Sequence, residues 1–90
     1  MNNTEILNIA KQVVLDYTNN SRPNQLVPYE LEDIYVVWFC KTIQNWKALV
    51  STDVINGMYF EVTYNGDAKE IYLDIYQQTG HIVLGDNNND

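Results

Sequence analysis

Residues 34–52 read Ile34-Tyr35-Val36-Val37-Trp38-Phe39-Cys40-Lys41, a break at Thr42-Ile43-Gln44-Asn45, then Trp46-Lys47-Ala48-Leu49-Val50-Ser51-Thr52. The first run is apolar or aromatic at both alternating positions, the pattern of a strand with both faces at least partly covered. It is therefore expected in the middle of a sheet. By simple alternation Tyr35, Val37 and Phe39 share one face of it and Cys40 ends it on the other, as a small buried hydrophobe. The second run is the next strand, and every other segment is expected to cover this pair.

Downstream, Met58-Tyr59-Phe60-Glu61-Val62-Thr63-Tyr64 alternates cleanly, and Ile71-Tyr72-Leu73-Asp74-Ile75-Tyr76 returns beside it. Asn65-Gly66 between them is a strong hairpin signal, since both residues tolerate the positive φ of a type I′ turn. A strict two-residue loop would set Glu61 opposite Glu70, which like charge disfavours. The favoured register therefore has a four-residue loop, Asn65 to Ala68, and pairs Tyr64 with Lys69, Val62 with Ile71 and Phe60 with Leu73. A turn at Gln78-Thr79-Gly80 precedes His81-Ile82-Val83-Leu84, read as a short edge strand.

Upstream, Asn2 is followed three residues later by Glu5, a capping-box arrangement that opens a helix. Ile6, Leu7, Ile9, Ala10, Val13, Val14 and Tyr17 form one broad apolar stripe, with Leu15 alone off it. Asn19 to Pro28 is polar and breaks the helix, so it reads as a loop. The fold class is α+β, with one N-terminal helix packed on an antiparallel meander of four to five strands. A single domain is expected over residues 1–85, with 86–90 as a flexible polar tail.

The 90 residues carry twelve acids against five bases, a net charge of -7, which disfavours nucleic acid and anionic membranes as direct ligands. The single cysteine rules out an internal disulfide, and no apolar leader or membrane-length run is present, so the chain reads as cytosolic. His81 is the only histidine, which rules out a histidine metal cluster and leaves only Cys40 for a Cys–His dyad. No cofactor, metal or catalytic residue is expected, and carboxylate pairs such as Glu61 with Glu70 or Asp74 read as solvated acids.

The informative surface is the sheet face opposite Met58, Phe60, Val62, Ile71, Leu73 and Ile75. It carries Tyr59, Glu61, Glu70, Tyr72, Asp74 and Tyr76. Tyrosines supply contact area at low entropic cost and interleaved acids supply charge complementarity, a mixture suited to protein binding. A solvated sheet face rich in β-formers would read the same way. The patch Tyr35, Val37 and Phe39 tilts the reading toward binding, because one helix shields one face only and a partner or second copy would have to bury the other.

The segments Ile34–Thr42, Gln44–Thr52, Gly57–Asp67 and Glu70–Asp74 resemble a family of small uncharacterised proteins encoded by phages and prophages of Gram-positive bacteria. That resemblance implies a phage accessory protein working in the host cytoplasm and supplies no catalytic residue. The expected function is non-enzymatic binding of a host or defence protein, with the acidic face imitating a polyanion, and a homodimer is the expected alternative cover for the second face. A small-molecule sponge or sensor with a pocket around Tyr35, Trp38 and Trp46 at a dimer interface is the competing reading, and a virion assembly role the third.

Overall fold

A computed structural model describes residues 1–21 and 27–86. Helix α1 spans Asn3–Asn20, and strands β1 (Ile34–Thr42), β2 (Asn45–Thr52), β3 (Met58–Asn65) and β4 (Glu70–Gln77) follow in order. The strands form one antiparallel sheet in the order β1-β2-β3-β4, with α1 lying over β1, β2 and β3. This is the α+β meander expected, with four strands. The expected loop at 19–28 and tail at 86–90 lie partly outside the described residues.

The helix starts where its cap dictates. Asn2 Oδ1 accepts the Glu5 amide at 2.8 Å, and Glu5 Oε1 accepts the Asn2 amide at 3.3 Å, so two otherwise orphaned donors are satisfied. Ile6, Ala10, Val14 and Thr18 recur at four-residue spacing and are buried against the sheet. Leu15 also packs against this core rather than standing exposed. At the far end Asn19 accepts the Tyr29 amide at 2.8 Å and donates to the Tyr29 carbonyl at 3.1 Å, which ties the helix to the chain entering the sheet.

The core joins those helical residues to Ile34, Trp46, Ala48, Val50, Phe60 and Val62. Each large apolar side chain buried here contributes roughly 1.5–3 kcal/mol relative to exposure. Trp46 stacks on Tyr64 at 5.7 Å, and Tyr17 meets Phe60 edge-on at 6.0 Å. Thr18 Oγ1 and Trp46 Nε1 are buried and have no hydrogen-bond partner among the described residues. A short 3₁₀ turn, Leu31–Asp33, leads into β1. Beside it the Glu32 hydrogen bond and then the Glu32 charge push the Glu30 carboxyl above the usual carboxylate range.

The structure corrects three readings. First, β1 is an edge strand, not a central one. Its register shifts by one residue between Val36 and Trp38, leaving Val37 as the extra residue of a β-bulge. Because strand periodicity is two, this inverts the rest of the strand. Phe39 turns to the helix side, opposite Ala48, while Trp38 and Cys40 turn to the other face opposite Leu49 and Lys47. Cys40 is accordingly exposed, not buried.

Second, the β3–β4 register differs from the one favoured above. Tyr64 pairs with Ile71, Val62 with Leu73 and Phe60 with Ile75, and Asn65 pairs with Glu70 across a loop of Gly66 to Lys69. The positive φ sits at Lys69 (55°), not at Asn65 or Gly66. Asn65 Oδ1 instead accepts the amides of Asp67 and Ala68, an Asx turn that replaces the type I′ turn. The displacement moves pairing partners along the strand without changing which face each residue occupies.

Third, residues 81–84 take no regular structure and β4 closes the sheet.

The β1–β2 loop holds Ile43 at φ 50°, in the left-handed region that β-branched residues avoid, and leaves it 85% exposed. Ile43→Asn keeps the loop length and suits that conformation. It is expected to raise stability by about 1 kcal/mol, read as an increase in the urea midpoint at unchanged slope.

Candidate functional site

Among the described residues no helix lies over one face of the sheet, and the register arranges its side chains in transverse rows. Tyr35, Ser51, Tyr59 and Tyr76 form the first, Trp38, Leu49, Glu61 and Asp74 the second, and Cys40, Lys47, Thr63 and Tyr72 the third. Residues directly opposite in adjacent strands lie about 4.5–5.5 Å apart at Cβ, so each row is a contiguous strip of side chains. The aromatic members are well exposed, with Trp38 at 43% and Tyr76 at 51%.

Charge on this face is compact. Glu61 stands directly across from Asp74, an unfavourable neighbour for a carboxylate. Lys47 offsets it from the other side, with Nζ 3.5 Å from Glu61 Oε1. The pair is partly exposed, so it contributes at most about 1 kcal/mol. The Tyr72 hydroxyl donates to Glu70 Oε1 at 3.3 Å at the rim. The central row is thus apolar from Trp38 to Leu49 and acidic from Glu61 to Asp74.

A groove of about 480 Å³ is set into the same face between Trp38, Cys40, Lys47, Thr63 and Tyr72, and extends to Trp46 and Tyr64. Its size falls within the range of small-ligand clefts. Among the described residues no group of three or more His, Cys, Asp and Glu side chains could hold a metal ion. No helix among the described residues is long and apolar enough to cross a membrane.

All six residues expected to bind a partner, Tyr59, Glu61, Glu70, Tyr72, Asp74 and Tyr76, lie on this uncovered face. Of the second patch, Tyr35 joins them and is 42% exposed, Val37 is the bulged residue at 45%, and Phe39 faces the helix instead. Of the acid pairs considered, the register brings Glu61 to Asp74 and leaves Glu70 further along the strand opposite Asn65. Cys40 lies on one edge strand and His81 beyond the other, so the sheet order separates them. Lys47, Leu49 and Ser51 were not assigned to this face from the sequence, although their alternation along β2 carries the signal that places them together on it. Trp38 was expected only in a dimer-interface pocket with Tyr35 and Trp46; the groove takes in Trp38 and Trp46 but not Tyr35, and the bulge is what brings Trp38 onto the tyrosine face.

No curated protein and no solved structure matches the chain. A family model does match, across residues 7–86, from the second turn of the helix through the segment beyond β4. The chain therefore belongs to the Family of unknown function (DUF6275).

Proposed function

We propose that this protein is a non-enzymatic binding module that engages another protein through the uncovered sheet face. The observation that carries this reading is the composition of that face. Four tyrosines flank a central row that runs from apolar Trp38 and Leu49 to acidic Glu61 and Asp74. Aromatic anchors beside charged rims are what protein interfaces use, and the net charge of -7 favours a partner with a basic surface. Given the resemblance to phage-encoded proteins, that partner is a host or defence protein in the bacterial cytoplasm, bound by an acidic surface that stands in for a polyanion.

The test is capture of partners from bacterial lysate, followed by affinity measurement with the purified partner. Replacing Glu61, Glu70 and Asp74 together by Lys is expected to weaken binding by at least ~30-fold, on the scale of an interface hot spot. The far-UV spectrum should stay unchanged, because these side chains lie outside the core. Undiminished affinity would remove this face as the binding surface.

The groove beside Trp38 supports a second reading, a small-molecule sponge or sensor. A nucleotide and metabolite panel read by thermal shift separates the two. A ligand that raises the melting temperature in the parent chain and not in a Trp38→Ala variant would favour the groove.

A further inference from the structure

We infer that residues 81–84 of one copy of this chain add as a fifth strand to the free edge of β4 in a second copy, the two copies exchanging these segments reciprocally. Two unsatisfied surfaces on the same chain carry the inference. The first is β4 itself, which among the described residues ends the sheet and so presents an unpaired row of backbone donors and acceptors. Its helix-side residues Ile71 and Ile75 are 44% and 43% exposed, because α1 lies over the other three strands. The second is the run Ile82-Val83-Leu84, whose residues are 81%, 82% and 84% exposed. Three consecutive aliphatic residues at such exposure, two of them β-branched, are strand formers without a sheet.

Local geometry decides between the chain's own β4 and that of a neighbour. The Gln78 amide still donates to the Gly57 carbonyl at 2.7 Å, so the ladder runs on to Gln78. Only Thr79 and Gly80 then remain to reverse the chain before His81. Both two-residue hairpin turns need a positive φ at the first central position. Gly57 is the one described glycine at positive φ, and Thr79 is not among the non-glycine residues that have it. The Gln78 side chain donates to the Gly80 carbonyl at 3.1 Å across this same short stretch. Without a reversal, His81–Leu84 is presented to another molecule rather than to its own strand. The family match extends to residue 86, so the segment is part of the shared domain and not an appendage to it.

In the exchanged arrangement Ile82 and Leu84 point to one side of the added strand, as alternation requires, and cover Ile71 and Ile75 of the partner copy. The contact is isologous, each copy giving a strand and receiving one, so it closes as a dimer and does not propagate. It leaves the uncovered face of each sheet free, and its test is independent of partner binding there.

Sedimentation equilibrium of the full chain, compared with the full-length double variant Ile82→Asp/Leu84→Asp, provides that test. The parent is expected at twice its 10.5 kDa mass at about 100 µM, with hydrogen-exchange protection at residues 82–84. The double variant is expected to be monomeric, its dimerisation weakened at least ~100-fold by two carboxylates placed in the contact. Its helix and sheet signals should be intact, since the replaced side chains are exposed in the single chain. A parent that stays monomeric, with or without protection at 82–84, overturns the inference. So does a dimer that survives the double substitution.

Discussion

Phe60→Ala is expected to remove about 3–5 kcal/mol of folding stability. Phe60 is 1% exposed, sits in register between Val50 and Ile75, and receives Tyr17 edge-on. It is the largest fully buried side chain among the described residues, and it joins the helix to the centre of the sheet. Truncation loses both the transfer free energy of the ring and the packing of everything around the void, because the Asn19–Tyr29 hydrogen bonds tie the end of α1 to the chain entering the sheet and limit how far it can settle inward. A domain of this length holds roughly 5–13 kcal/mol in total. The variant is therefore expected to populate unfolded chain at low urea, and a loss below about 2 kcal/mol would show that the helix can resettle on the sheet.

Gly66→Ala comes next, at an expected cost of about 2–3 kcal/mol. The reason is contact, not backbone conformation, for Gly66 does not lie at positive φ. A Cβ at this position would overlap the Gln44 carbonyl oxygen and approach Gln44 Cβ and Cγ to 2.7 and 2.8 Å. The two loops are drawn together by the Gly66 amide donating to Asn45 Oδ1 at 2.8 Å and by Gln44 Nε2 donating to Asp67 Oδ1 at 2.7 Å. A methyl group forces them apart and breaks both bonds. Asn45→Ala is therefore expected to add little in the Gly66→Ala background while costing about 1 kcal/mol alone, a coupling that a double-mutant cycle in urea reads directly. Additive losses would mean that the loops do not separate.

The helix was legible because its signals are local: the Asn2–Glu5 box and the apolar stripe act within a few residues. The two faces of β3 and β4 were legible for a different reason. Alternation assigns each residue to a side whatever the pairing, so the tyrosines and acids of the candidate site survived an error in register. The register itself was argued from like-charge avoidance. It failed because Lys47, on the neighbouring strand, reaches Glu61 and makes the Glu61–Asp74 opposition tolerable. The bulge could not be read either, since Val36 and Val37 are chemically equivalent and only pairing with Val50 distinguishes them. That single extra residue accounts for the misplacement of Phe39, Trp38 and Cys40 together. It also explains why β1 looked central, for a strand that changes face midway shows apolar residues on both.

The same inversion gives the molecule a native reporter. Cys40, its only thiol, is exposed in the same transverse row as Lys47 and lines the groove with Trp38. A thiol-reactive probe therefore labels the uncovered face of the unaltered protein at one site, without engineered cysteines or removal of competing ones. Its labelling rate, followed alongside the combined fluorescence of Trp38 and Trp46, registers occupancy of that face by any partner, whatever the partner's identity.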